Sequence, residues 1–314
     1  MSHEIEQMAY VGAVPWHGLG TELAADTTIE EWVVQAGLDW EVSKRPVYYA
    51  GANTVGNVFK DRFVLARTTD DRPYAVVSSR YKPVQPKQIL EFFRHLVAKF
   101  GMTIETAGSL RDGQRIWAMA RTNDAHKVMG VDEIKGYCML STSYDLSYST
   151  LAYDTSVRVV CNNTLQQSFG DMQNRISIPH IKTFNADEVH EAMGRGEEKW
   201  HAFTQMLDLL ATIKIDNAKA AEVLHKVYNI EGKDAKNDSA NLAHTAKILE
   251  LFGGRALGAD IAGSTGWGLV NATTEYLDQH KRARSSSNRL DSAWFGDAFN
   301  TKQRVVDETL LLAA

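Results

Sequence analysis

Cysteine is scarce in this sequence, and long apolar runs are absent. Cys138 and Cys161 are the two cysteines, too few for a disulfide framework, which fits a reducing compartment. No stretch reaches the roughly 18 uninterrupted apolar residues that a membrane-spanning helix requires, so we expect no membrane partner. The segment 1–10 is acidic and lacks an apolar core, which argues against a signal peptide. The sequence therefore predicts a cytoplasmic protein.

Lysine and arginine are missing from residues 1–42, which hold eight acidic residues. Residues 43–182 hold 19 basic and 12 acidic residues, a local charge of +7, and residues 183–314 hold 15 basic and 19 acidic residues, a local charge of −4. The net charge of the whole chain is −5. A basic middle segment between acidic ends predicts an anionic partner for the middle segment. The alternative is that these charges pair with each other within the fold.

The sequence has the composition of an ordinary globular protein. Of its 314 residues, 44% are hydrophobic and 23% are charged, so the chain can bury a large core without disulfides. This length suits two domains. A change from strand-like to helical patterns predicts an α+β domain over residues 1–182 and a helical domain over residues 183–314.

The first half of the chain contains short strand-like segments separated by turns, and two helices. Apolar side chains at helical spacing predict a helix over residues 88–100, and a Thr cap with acidic residues predicts one over residues 28–36. The predicted strands are residues 42–49, 58–67, 74–79, 102–109, 115–121, 137–143 and 156–161. Arg111-Asp112-Gly113 is a hairpin signal, and Asn162 or Asn163 is expected to cap a helix that begins near Thr164. We therefore expect a largely antiparallel sheet with packed helices.

The second half carries apolar stripes at helical spacing. Three stripes are formed by Trp200, Phe203, Leu207 and Leu210, by Leu224, Val227 and Tyr228, and by Leu242, Leu249 and Phe252. The glycine-rich residues 253–268 predict a flexible hinge, and helices are expected over residues 269–280 and 301–312. The fold class is therefore α+β, with a helical C-terminal half.

Four motifs carry a resemblance to a known family. They are Pro-Trp-His-Gly-Leu-Gly at 15–20, Val-Ser-Ser-Arg-Tyr-Lys-Pro-Val-Gln at 77–85, Arg-Val-Val-Cys-Asn-Asn-Thr-Leu at 158–165 and Trp-Gly-Leu-Val-Asn-Ala-Thr-Thr-Glu-Tyr at 267–276. Together they resemble the phage/plasmid-like protein family built on the domain of unknown function 932. The resemblance covers nearly the whole chain and implies residence on phages, prophages or plasmids, with no established activity and no catalytic residues. The strand meander followed by a helix also resembles phage single-strand annealing proteins.

Complete motifs for nucleotide hydrolysis and zinc binding are missing. A P-loop ends in Gly-Lys-Ser/Thr, and residues 253–268 contain glycines without that lysine. His190-Glu191 begins a zincin motif, but the second histidine one helical turn later is missing. Two cysteines cannot form a structural zinc site alone. We expect neither a cofactor nor a bound metal ion.

Cys161 is a candidate nucleophile, because a thiol at a strand end before a helix start has a lowered pKa. His180 is the nearest candidate base in the sequence. The alternative is that Cys161 is a small core residue. His17 lies in an aromatic, glycine-bounded loop, where it could contact a ligand or form a hydrogen bond against a sheet.

A metal-dependent nuclease is a second enzymatic alternative. Such an enzyme needs carboxylates and a lysine around a strand, to hold a divalent ion and activate water. The residues of these types are Glu133 and Lys135, with Asp112 or Asp124 upstream. This spacing is common in proteins of every class, so the assignment stays open.

Basic and aromatic residues interleave in the middle segment. Single-stranded nucleic acid binds to basic tracks with aromatic faces for stacking, and Arg80-Tyr81-Lys82 followed by Lys87 provides this pattern. Further candidates lie at a hairpin tip or can bond phosphates and base edges: Arg111, Arg115, Arg158, Asn162 and Asn163. The alternative is that Tyr81 packs in the core and the cations are solvated.

These observations favour a DNA-binding accessory protein of a phage or plasmid. It would bind or anneal single-stranded DNA in recombination as a homo-oligomer, by charge and stacking and without covalent chemistry. The alternatives are an enzyme that acts on nucleic acid and a counter-defence protein that binds a host protein through its acidic flanks. The sequence leaves open whether the protein is an enzyme.

Overall fold

The computed structural model combines a large β-sheet, a small β-sheet and a helical C-terminal half, which confirms the predicted α+β class. It describes residues 5–12, 19–52, 56–158, 163–166, 175–193, 197–230, 239–283, 292–293 and 296–313. The strands are β1 (Ile5–Val11), β2 (Thr21–Leu23), β3 (Val42–Tyr49), β4 (Asn57–Arg67), β5 (Pro73–Ser78), β6 (Thr103–Leu110), β7 (Arg115–Val128), β8 (Asp132–Ser143), β9 (Thr150–Arg158), β10 (Asn163–Gln166) and β11 (Arg175–Ile178).

The helices of the first half begin and end at residues with recognisable capping roles. In α1 (Ile29–Gln35), Thr28 and Glu31 form a reciprocal capping box. In α2 (Pro86–Phe100), Pro86 occupies the first turn and Gly101 ends the helix with a left-handed backbone, φ 63°. The later helices are α3 (Ala186–Met193), α4 (Glu197–Thr212), α5 (Asn217–Val227), α6 (Ser239–Glu250), α7 (Ala259–Ala262), α8 (Gly266–Glu275) and α9 (Asp297–Leu310), with π-helical turns over Leu251–Arg255 and Tyr276–His280.

The large sheet has the strand order β10-β9-β8-β7-β6-β1-β2, and β11 also pairs with β9. Strand β1 runs antiparallel to β6 and parallel to β2, so the sheet is not purely antiparallel. The predicted hairpin between β6 and β7 is present, with Leu110 paired to Arg115. The small sheet has the order β3-β4-β5 and is antiparallel throughout.

The described residues fall into two compact units that each combine distant parts of the sequence. The first lies within residues 1–123, 138–153 and 175–194, and the second within residues 124–137, 154–174 and 195–314. In the first unit, α1 and α2 bury Trp32, Phe92 and Phe93 in a core that also contains sheet residues. The second unit has its own core around Leu207, Leu224 and further side chains, among them Trp267, Leu269 and Val305. Cys138 is fully buried in the core of the first unit.

Three details of the sequence prediction need correction. The helix expected near Thr164 is wrong, because residues 163–166 form β10, paired antiparallel with β9. Leu242, assigned to an apolar stripe, is exposed. Residues 253–268 contain α7 and the start of α8 rather than a featureless hinge, and a Cβ at Gly268 would lie 2.1 Å from the carbonyl oxygen of Gly263. Glycine at this position permits close backbone approach.

Among the described residues, none of the helices combines the length and the apolar character that crossing a bilayer requires.

Candidate nucleic-acid interface

The hairpin of β3 and β4 projects exposed side chains from the first unit. Tyr48 pairs with Val58, and Val47 pairs with Phe59, before a bulge interrupts the register. Asp61 lies in this bulge with a left-handed backbone, φ 59°. We call the exposed parts of the two strands, residues 45–49 and 57–62, the arm.

Aromatic and aliphatic side chains of the arm are unusually accessible. Tyr48, Tyr49, Val58 and Phe59 are each between 50 and 59% exposed. The rings of Tyr49 and Phe59 meet edge to face, with their centroids 6.2 Å apart. Clustered exposed apolar surface indicates a binding site more often than isolated exposed residues do.

The arm is also basic, with Arg45, Lys60 and Arg62 against the single acid Asp61. Arg45 pairs with Asp71, outside the arm, at 3.0 Å. No carboxylate within the described part of the chain forms an ion pair with Lys60 or Arg62. The arm therefore offers two cations beside its exposed rings.

The register of the small sheet connects the arm to the basic residues predicted from sequence. Arg62 pairs with Ser78, and Arg80 follows in the exposed turn after β5. Lys82 is exposed and donates from Nζ to the hydroxyl of Thr183 at 2.8 Å. Lys87 is exposed on α2, with Nζ 4.0 Å from the carboxylate of Glu91. Three of the predicted cations, Arg80, Lys82 and Lys87, are thus accessible.

Tyr81 does not offer a stacking face, because its ring is in the core and only 7% exposed. Its hydroxyl lies 2.6 Å from Nδ1 of His180 and 3.3 Å from the carbonyl oxygen of Ser143. Burial raises the pKa of Tyr81 above its usual value. Of the two alternatives for Tyr81, the structure shows the core position.

His180 is held among hydroxyl groups. Its Nε2 lies 3.2 Å from Oγ1 of Thr142 and 3.1 Å from Oγ1 of Thr150, both of which are fully buried. Burial lowers the pKa of His180 to about 4. The imidazole is therefore neutral at physiological pH, with one nitrogen donating and the other accepting.

Arg115 is also unavailable to a ligand. It is 6% exposed and forms an ion pair with Asp145 at 3.1 Å, and its guanidinium lies 5.5 Å from the ring centre of Tyr148. The structure therefore places this predicted nucleic-acid contact in a buried ion pair, where Asp145 neutralises its charge. Arg111 is half-buried in the β6–β7 turn, with φ 53°.

The remaining predicted contacts are at the β9–β10 connection. Arg158 is the last residue of β9 and Asn163 the first residue of β10, and the two are paired in register. Asn162 lies outside the described residues. The structure therefore places Arg158 and Asn163 on adjacent strands, and Asn163 is a strand residue instead of a helix cap.

The residues of the nuclease alternative lie on β7, on β8 and in the β6–β7 turn. Glu133 and Lys135 lie two positions apart on β8, and Asp124 lies on β7 of the same unit. Asp112 belongs to the other unit. The described residues contain no group of three or more His, Cys, Asp or Glu side chains placed to hold a metal ion.

Two further candidates cannot be placed, because His17 and Cys161 lie outside the described residues. His180, the base suggested for Cys161, contacts the hydroxyl groups described above.

The arm was not identified as a candidate site from the sequence, although its residues contain a pattern that indicates exposed rings. A half-buried strand alternates polar and apolar residues, but Val47-Tyr48-Tyr49 and Val58-Phe59 place apolar side chains at successive positions. Such a pattern gives both faces of a strand apolar character. In a short, basic hairpin it can indicate exposed rings as well as a buried strand.

Comparison with known proteins identifies the family. No curated protein and no solved structure shows significant similarity to the chain. The family model described as "Domain of unknown function (DUF932)" matches residues 73–294, which is more than half of the sequence. The chain therefore belongs to the DUF932 family.

Proposed function

We propose that this protein binds single-stranded nucleic acid through the arm and the cations after β5. The observation that carries the proposal is the combination, on one β-ribbon, of half-exposed rings with Lys60 and Arg62. Bases stack on aromatic faces when they are unpaired, and cations neutralise the phosphates between them. Arg80 and Lys82 extend the basic surface beyond the arm.

The biological setting that we propose is an accessory role in recombination of a phage or plasmid. This part of the proposal rests on the sequence motifs of the phage/plasmid-like family. A DNA-binding role also agrees with the local charge of +7 over residues 43–182. No covalent chemistry is required, because charge and stacking supply the binding free energy.

Fluorescence anisotropy with a labelled oligothymidylate at several salt concentrations tests the proposal. Each phosphate contact on a single strand contributes about 0.7 to the salt slope, because binding releases condensed counterions. The double variant Lys60→Ala/Arg62→Ala should therefore flatten the slope by about 0.7 units for each of the two cations that contacts the bound strand. The matched control Lys219→Ala/Lys226→Ala removes the same charge from exposed positions of α5 and should leave the slope unchanged.

Two outcomes would contradict the proposal. The first is that the unmodified protein does not bind the oligonucleotide at micromolar concentration in low salt. The second is that the α5 control flattens the slope as much as the arm variant does, since binding would then follow net charge and not the arm. Phe59→Ala should in addition weaken binding by about 1–3 kcal/mol if its ring stacks on a base.

A further inference from the structure

The arm has two exposed faces, and each carries an aromatic side chain. Successive residues of a strand point to opposite sides, and directly paired residues point to the same side. Tyr48 and its partner Val58 therefore form one surface, which we call the first face. Tyr49 and Phe59, whose rings are in contact, form the second face.

Each face also has its own cation. Alternation along β4 places Lys60 on the first face with Val58. Beyond the bulge, Arg45 pairs with Val64 and lies on the side of Val47, the partner of Phe59. Arg62 lies two residues before Val64 and is therefore on the second face. Lys60 and Arg62 lie on opposite faces because the bulge at Asp61 interrupts the alternation between them. The same pair of groups, an exposed ring and a cation, is present twice.

This duplication is unusual for a β-ribbon that binds one ligand. An antiparallel sheet commonly has one apolar face against a core or ligand and one polar face in water. Here the exposure of Tyr48 and Val58 matches that of Tyr49 and Phe59, so neither face is covered within the described residues. A solvent-exposed aromatic ring on each face is explained if each face binds a ligand.

We infer that the arm holds two single-stranded nucleic-acid segments at once, one on each face, and so brings two strands together. The inference rests on the proposed function and adds to it the number and placement of the strands. On each face the ring stacks on a base, and the cation contacts a phosphate of the same strand. The duplicated positive charge favours two polyanions, which would repel each other without it.

The test uses the full chain with two oligothymidylates, one labelled with a donor dye and one with an acceptor dye. These strands cannot pair with each other, so energy transfer between them requires the protein. We expect energy transfer with the unmodified protein and a stoichiometry of two strands per chain by analytical ultracentrifugation. The stoichiometry is needed because a dimer with one strand per chain would also give energy transfer.

Face-specific variants locate the two strands. Tyr48→Ala/Lys60→Ala removes a ring and the cation from the first face, and Phe59→Ala/Arg62→Ala removes a ring and a cation from the second face. Each variant should retain its melting temperature, bind one strand per chain and lose the energy transfer. A combined variant of all four positions should bind neither strand.

The outcomes separate this inference from the proposed function. If the unmodified protein binds no oligonucleotide, both fail. If it binds one strand per chain, or if only one of the two face variants alters binding, the two-strand inference is overturned while single-strand binding stands.

Discussion

Substitution of His180 should change how the stability of the protein depends on pH. In the native protein the half-buried ring contacts the hydroxyls of Tyr81, Thr142 and Thr150. A neutral imidazole suits this environment, since one ring nitrogen donates and the other accepts. The described contacts of the ring are hydroxyl groups and not carboxylates, so protonation would place an unbalanced positive charge there. Burial accordingly lowers the pKa of His180 to about 4.

The sign of the effect follows from the two states. In the unfolded chain His180 has an ordinary pKa of 6.5, whereas in the native protein its pKa is about 4. Below pH 6.5 the unfolded state binds a proton that the native state does not, so the free energy of unfolding decreases as the pH falls. The decrease ends near pH 4, where both states are protonated.

The size of the effect is set by the difference in pKa. At about 1.4 kcal/mol per pKa unit, the full shift corresponds to about 3 kcal/mol. Water reaches part of the ring and screens the charge, so we expect about 2 kcal/mol. That is a large fraction of the stability of a typical domain.

Urea denaturation of the parent chain and of His180→Gln at a series of pH values measures this contribution. The variant should be less stable at neutral pH, because it loses hydrogen bonds, but its stability should decline less between pH 6.5 and pH 4. His201→Gln, at an exposed position on α4, is the matched control and should follow the parent chain. Parallel pH profiles for His180→Gln and the parent chain would refute the reasoning.

Three other substitutions are tested by the same urea assay. Arg115→Met should lower the free energy of unfolding by about 3 kcal/mol, because it leaves the largely buried Asp145 carboxylate without its cation; a loss under about 1 kcal/mol would contradict a tight ion pair. Gly113→Ala and Gly130→Ala form a matched pair, since both glycines have a left-handed backbone, φ 81° and 79°. At Gly130 the new methyl group meets nothing within 4 Å, so we expect only the backbone cost of about 1 kcal/mol. At Gly113 it would lie 2.6 Å from the hydroxyl of Tyr74, so a total of about 3 kcal/mol is expected, and equal losses would contradict the steric argument.

Features encoded by neighbouring residues could be predicted from the sequence. Apolar side chains at helical spacing over residues 88–100 correspond to α2, and Gly101 ends it in the left-handed conformation that favours glycine. Arg111-Asp112-Gly113 forms the turn between β6 and β7, with a positive φ at all three residues. Local conformational preferences are sufficient for such elements, because few distant contacts oppose them.

Features decided by distant contacts could not be predicted. Arg80-Tyr81-Lys82 has the local pattern of a stacking site, but Tyr81 contacts Ser143 and His180, which lie 62 and 99 positions away in the sequence. Arg115 is neutralised by a carboxylate 30 positions away. A cation next to an apolar strand can face water or a buried partner, and the local sequence is the same in both cases.

The β9–β10 region shows how one residue type can support two structures. Asparagine favours helix caps and also turns, because its side chain bonds to nearby backbone groups. Residues 163–166 form a strand because the adjacent β9 offers a ladder of backbone partners from Thr155 to Arg158. Pairing with that strand outweighs the local capping preference.

The burial of Tyr81 decides which substitutions can test nucleic-acid binding. Tyr81→Ala would remove a core ring, so it would lower the melting temperature, and weaker binding would not distinguish recognition from unfolding. Phe59 is half exposed, so weaker binding by Phe59→Ala with an unchanged melting temperature would have to come from the interface. The salt slope adds a second distinction, because it counts phosphate contacts and is insensitive to stacking. Loss of affinity at constant slope for Phe59→Ala, together with a flatter slope for Lys60→Ala/Arg62→Ala, would separate a stacking arm from a surface that is merely basic.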